Sequence, residues 1–134
     1  MKVVYIDSNG ILEDLIIVAG TKAELKRLAD SEDFASTREN ITQTTSEEDT
    51  YWGCTYWGPP IVIHLSEELY GDADLLTKTQ LVAHEASHVI DMCFDSRGVD
   101  PGQESMEVRS LLLEWLIGKL LPIIAPMDTL NKVS

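Results

Sequence analysis

The chain has 134 residues, long enough for one domain whose core needs no disulfide or metal staple. Apolar residues make up 44% and charged residues 25%, a balance that sets aside disordered and fibrous classes and points to a globular protein. Ten Lys and Arg stand against 23 Asp and Glu, a net charge of −13, which argues against sequence-tolerant binding to nucleic-acid phosphates because that needs clustered cations, so no direct nucleic-acid binding is expected.

Lys2 to Asp7 is β-branched and aromatic, Ser8-Asn9-Gly10 is turn chemistry, and Ile11 to Val18 is again apolar, so a strand, turn, strand hairpin is predicted. Gly20 closes the second strand. Thr21-Lys22-Ala23-Glu24 then reads as a capping box, and Leu25 and Leu28 carry a short amphipathic helix to about Ala29. Ser31 to Thr50 is polar and acidic with Phe34 and Ile41 as its bulky apolar residues. It reads either as a loop or as a hairpin through Ile41 to Thr45. Tyr51 to Pro60 sets two tryptophans and two tyrosines among Gly and Pro, and plugging the end of a core is favoured over walling a cleft.

Ile61 to Leu65 reads as a strand and Ser66 to Gly71 as a turn or single helical turn. Asp72 or Asp74 opens a long helix whose apolar face includes Leu75, Leu76, Leu81, Val82, Ala86, Val89, Ile90 and Phe94, ending near Asp95. Arg97 to Gly102 is a turn. A second long helix starts near Gln103, is rich enough in Leu to be largely buried, and stops at Pro122; an irregular tail follows through Ser134. Cys54 and Cys93 lack zinc-knuckle or C-x-x-C spacing, so isolated thiols are the simpler account. Met1 to Asp7 is too charged and too short in apolar length for a signal peptide, and no run approaches the ~20 apolar residues of a membrane span. The expectation is a single cytoplasmic domain with no membrane contact.

The first long helix contains His84-Glu85-Ala86-Ser87-His88. Residues four apart share one helix face, so two neutral imidazoles can supply two zinc ligands, while Glu85, one step round, can act on a metal-activated water without being a ligand. A catalytic zinc takes three protein ligands and keeps a fourth position for water. A metzincin extension fails because Asp91 and Phe94 occupy its positions, and Asp91 projects about 60° away from His88. Cys93 lies off the metal-facing side, which argues against a closed structural zinc site. Among the carboxylates of the second helix, Glu107 is preferred over Glu104 in the polar entry and Glu114 before Trp115, because Met106, Ser110, Leu111 and Leu113 suggest a packed face around it. The other reading of Glu107 is pairing with Arg109, Lys119 or solvent.

His84-Glu85-x-x-His88, a turn, then Glu107-Val108-Arg109-Ser110 entering an apolar helix resembles the core of gluzincin-type zincin metallopeptidases. It is most similar to small phage- or prophage-encoded zincin-like proteins and to ImmA/IrrE-like peptidases. The resemblance covers roughly residues 60 to 121. It implies an α+β fold: a small, mostly antiparallel sheet packed on two long C-terminal helices plus a short N-terminal helix, with residues 1–60 preceding the core and Ile61 to Leu65 as an edge strand beside the active helix. It also implies Zn²⁺ held by His84, His88 and Glu107. The chain departs from the pattern at Ser110, where those peptidases usually have Ala, and at Leu111, where thermolysin-like enzymes have an Asp that orients a histidine.

The expected activity is zinc-dependent hydrolysis of peptide bonds, with Glu85 as general base and an oxyanion donor among Tyr51, Tyr56, Tyr70, His64 and Arg109. An extended peptide or protein substrate would pair with Ile61 to Leu65, and a partner protein would present it. The competing expectation is a non-catalytic acidic binding or inhibitory protein, for example a DNA mimic, that retains the scaffold.

Overall fold

The computed structural model describes residues 1–47, 50–100 and 102–125. The expected irregular tail from 126 onward lies outside the described residues. The architecture is mixed α+β, and the chain divides into two compact units, Met1–Asp72 and Ala73–Ser134.

The first unit is built on a four-stranded sheet. Strands β1 (Lys2–Ile6), β2 (Leu15–Gly20), β3 (Gly53–Tyr56) and β4 (Ile61–Ser66) lie in the order β1-β2-β4-β3. β1 pairs antiparallel with β2 from Lys2↔Ala19 to Ile6↔Leu15, β2 pairs parallel with β4 from Leu15↔Ile61 to Gly20↔Ser66, and β3 pairs antiparallel with β4. Two of three pairings are thus antiparallel. Every residue of β2 and β4 is buried, which is why both are continuous apolar runs and do not alternate. The expectation that Ile61 to Leu65 forms an edge is overturned: β4 hydrogen-bonds on both sides, and a run buried on both faces belongs inside a sheet. The edges are β1 and β3.

The second strand begins at Leu15, four residues later than its apolar run suggests. Asn9 (φ 55°) and Gly10 (φ 82°) form the expected turn, with the Ile11 N–H donating to the Ser8 carbonyl at 3.2 Å. Ser8 is buried, and its hydroxyl bonds the Leu12 backbone in both directions while its N–H donates to Asp14 at 3.3 Å. Glu13 and Asp14 therefore mark a structured connection, not interruptions of a strand.

Helix α1 (Lys22–Leu28) begins on the predicted capping box: Glu24 N–H donates to Thr21 Oγ1 at 3.2 Å, and Thr21 N–H to Glu24 Oε1 at 2.9 Å. Among the described residues 31–47, neither expectation holds. Glu32–Phe34 is a short 3₁₀ turn and Arg38–Ser46 is helix α2. Its β-branched residues are accommodated because their hydroxyls bond back to preceding carbonyls, Thr44 to Asn40 at 2.8 Å, Thr45 to Ile41 at 2.7 Å, and Ser46 likewise to Thr42 at 2.7 Å. Phe34 and Ile41 anchor the segment in a core with Ile16, Val18, Leu25, Ala29, Tyr56 and Val62. Tyr56 plugs that core, whereas Trp52 and Trp57 are exposed, so the aromatic stretch divides between packing and surface. Glu67–Tyr70 forms the expected single helical turn, α3.

His64 sits on β4 with no exposed surface. Its Nε2 lies 2.9 Å from the Gly20 carbonyl and its Nδ1 2.8 Å from the Tyr51 hydroxyl. A carbonyl only accepts, so Nε2 carries the proton and Nδ1 accepts from Tyr51. Burial pushes the His64 pKa below its ordinary value, against the opposing pull of the Gly20 carbonyl and the Glu68 carboxylate. The unfolded chain therefore takes the proton first: this contribution to stability is intact above about pH 6.5 and is lost as the pH falls toward the folded-state value. Denaturation midpoints between pH 5 and 7.5 should fall more steeply on acidification in the wild type than in His64→Gln; parallel slopes would remove His64 from the acid response.

In the second unit, α4 (Leu75–Ser96) and α5 (Gln103–Ile124) pack against each other. Asp74 caps α4 by accepting from Thr77 N–H at 2.8 Å. Gly98 (φ 67°) ends it in a Schellman motif, with Val99 N–H to Phe94 carbonyl at 2.8 Å and Gly98 N–H to Asp95 carbonyl at 3.2 Å. The buried positions of α4 are Leu81, Val82, Glu85, Ala86, Val89, Ile90, Cys93 and Phe94; Leu76 is exposed. Two expectations for α5 fail. Pro122 lies inside the helix, because a missing N–H in the last turn costs one bond and leaves the preceding turns intact. The helix is also not largely buried: Leu116, Leu120, Ile123 and Ile124 are, but Met106, Val108 and Leu111 in its first half are more than half exposed.

Candidate metal centre

The i, i+4 spacing on α4 turns both histidine rings to one exposed face. Their Nε2 atoms converge to 3.1 Å, with ring centroids 4.6 Å apart and ring planes at 86°. Two imidazole nitrogens bound to one tetrahedral zinc at ~2.0–2.1 Å stand about 3.3 Å apart, so His84 and His88 fit two positions of such a site. Neutral imidazoles are also the right donors for it.

Glu85 lies between them on a different face. It is 2% exposed and occupies the apolar stripe of Leu81, Val82, Ala86 and Val89 as the only charged residue among the buried positions of α4. Burying a carboxylate in such a stripe carries a desolvation cost that pairing, hydrogen bonding or metal has to offset.

The carboxylates of α5 are placed differently from expectation. Glu104, Glu107 and Glu114 are all exposed, so the packed surroundings foreseen for Glu107 are not present. Arg109 reaches across to α4 and ion-pairs with Asp91, and Glu107, two residues earlier, projects about 160° away from it round the helix. Among the described residues no group of three or more His, Cys, Asp or Glu side chains is assembled as a metal site. The structure thus brings His84 and His88 together and does not bring Glu107 to them. Because α4 and α5 are consecutive, packed helices joined by a short turn, the Asp91–Arg109 pair sets their register. On it the level of His84 and His88 falls at about residues 112 to 116 of α5, a stretch that includes Glu114, although Glu114 itself projects about 140° away from Arg109 round the helix.

The candidate oxyanion donors also sort themselves. His64 has both nitrogens engaged, Tyr56 is buried and bonded to Thr44 at 2.6 Å, and Tyr70 is buried, its phenol pushed up to about 12 chiefly by desolvation. Arg109 is held by Asp91 on the α4–α5 seam. That ion pair was not legible beforehand, since Asp91 and Arg109 are 18 residues apart and only the helix register makes them neighbours.

No disulfide joins Cys54 and Cys93, and Cys93 is buried on α4. No helix among the described residues is long and apolar enough to cross a membrane. No family model matches the chain, and no curated protein or solved structure is significantly similar to it.

Proposed function

We propose that the protein is a zinc-dependent hydrolase of peptide bonds in which His84 and His88 hold the metal and Glu85 is the general base. The observation that carries this reading is the 3.1 Å convergence of the two Nε2 atoms on one helix face, with a buried carboxylate in the turn between them. When bound, zinc supplies a Lewis acid and lowers the pKa of a water molecule to about 7. The imidazoles bind and orient. Glu85, one step round the helix, takes the proton of the attacking water and delivers it to the departing amine. Glu107 is the third ligand implied by family resemblance; Glu114 shares the level of the two histidines along α5 and is the alternative, though both carboxylates project away from the side that bears Arg109.

Zinc titration of the full chain tests the reading. One zinc per chain is expected, and among Glu104→Gln, Glu107→Gln and Glu114→Gln the variant that removes the third ligand should weaken binding by at least ~10-fold. A wild-type chain without stoichiometric zinc binding ends the proposal; equal affinity in all three variants removes α5 as the source of the third ligand.

A second reading is favoured by a separate observation. The first half of α5 exposes Met106, Val108 and Leu111 among the exposed carboxylates of Glu104, Glu107 and Glu114. Apolar anchors within an acidic rim suit capture of a basic protein surface, which matches a non-catalytic inhibitory role for a chain of net charge −13.

A further inference from the structure

We propose that the third zinc ligand comes from a second copy of the chain: two chains pair through their α4–α5 hairpins, and Glu114 of each completes the His84–His88 site of the other. This rests on the zinc reading above and adds the source of the missing ligand. His84 and His88 converge as two donors, and among the described residues no further His, Cys, Asp or Glu joins them in a metal-binding group. A catalytic zinc needs one protein ligand more.

Glu114 has the right level and the wrong side. The Asp91–Arg109 pair sets it level with the two histidines, yet it lies about 160° round α5 from buried Leu116. His84 likewise lies about 160° round α4 from buried Val82 and Ala86. Each group points outward from its own helix, and all three side chains are exposed. Within one hairpin, axes packed at ~8–10 Å keep such outward groups apart. Stacking two hairpins through their outward sides, about a two-fold axis parallel to the helices, lays α4 of one copy along α5 of the other. That rotation leaves levels along the helices unchanged. The partner's Glu114 then faces His84 and His88, and symmetry repeats the contact.

The outward stripe of α5 carries two more features that fit. Leu111, three residues before Glu114, is 56% exposed and offers apolar contact beside the site. Gly118, four residues after Glu114, is an exposed glycine in the interior of a 22-residue helix, and a Cβ built there meets nothing within 4 Å. It weakens the helix relative to alanine, and no packing among the described residues requires it. Close approach of a second helix does require it, since a bare backbone lets a neighbour come near enough for the carboxylate to reach the imidazoles. Charge makes the pairing conditional on metal. Each chain carries −13, and the exposed Asp91 and Asp95 of α4 come to the level of Glu104 and Glu107 of α5. Like charges hold the copies apart until a divalent cation at each site offsets them.

Sedimentation velocity of the full chain, with and without one equivalent of zinc, tests the pairing. A monomer without zinc and a dimer with one zinc per chain are expected. Glu114→Gln should stay monomeric with zinc. Gly118→Leu raises helix propensity and so keeps α5 folded, yet it should weaken dimerisation by ~10-fold or more, the worth of one overpacked contact. Mixing two variants separates the contributions of the two copies. A chain carrying both His84→Ala and His88→Ala lacks the imidazoles, and a Glu114→Gln chain lacks the carboxylate, but their heterodimer holds one complete site. The mixture should bind one zinc per two chains where neither variant alone binds stoichiometrically. A wild-type chain that binds one zinc and stays monomeric, or a mixture that regains no binding, overturns the shared site and leaves the zinc reading standing; a wild-type chain that binds no zinc removes both.

Discussion

Replacing His84 with alanine is expected to abolish stoichiometric zinc binding and, with it, all hydrolysis of peptide bonds. His88→Ala should do the same, because one remaining imidazole on an exposed helix face is a poor site for any divalent metal. Neither change should unfold the protein. Both rings lie outside the buried stripe of Leu81, Val82, Ala86 and Val89, and surface substitutions away from such a stripe stay within about 0.5 kcal/mol. Glu85→Gln separates binding from chemistry: it is nearly isosteric, so zinc should be retained while hydrolysis drops by roughly 10²–10⁴-fold, the usual worth of a general base. Zinc content by mass spectrometry and peptide cleavage, measured on the same preparations, check both arms. Full cleavage by Glu85→Gln would end the assignment of the base. A biological effect that persists in the variant lacking hydrolysis would move the function to the acidic, apolar face of α5.

Phe34→Ala is expected to destabilise the first unit by about 3–5 kcal/mol, a large share of the ~5–15 kcal/mol that holds a typical domain together. Phe34 is 1% exposed and, with Ile41, anchors the segment that connects α1 to β3. Removing the ring leaves a cavity beneath Leu25, Ala29 and Tyr56, and α2 should lose protection because its exposed surface is polar and its helix propensity low. Hydrogen exchange over residues 38–46, together with a denaturant midpoint, reads the effect. Trp52→Ala is the contrast: the larger side chain, 43% exposed, should cost far less. If the two substitutions cost the same, the segment does not pack as described.

Local signals in this sequence were reliable wherever the controlling interaction spans about one helical turn. The Thr21–Glu24 capping box, the Asp74 cap, the positive-φ Gly98 at the end of α4 and the shared face of His84 and His88 are all such cases. The same residues say little about long-range order. Ile61 to Leu65 is visibly a strand, but whether it lies at an edge depends on β3, whose four residues are too short and too mixed with Gly and aromatics to announce themselves. Arg38 to Ser46 reads as strand or loop by propensity. It is helical because burying Ile41, and back-bonding the threonine hydroxyls, outweighs a preference worth only tenths of a kcal/mol per residue.

At the candidate site the division follows the same physics. The sequence by itself determined the two imidazoles and the intervening carboxylate, since the 3.6-residue repeat places them without reference to anything else. The tertiary structure alone decided that Glu85 is buried while the histidines are exposed, that Arg109 is committed to Asp91, and that Glu107 faces solvent away from that seam. Which side of an apolar helix is covered is set by the packing of its neighbours. In α5, with apolar residues on every side, helical periodicity carried too little information to choose the covered face.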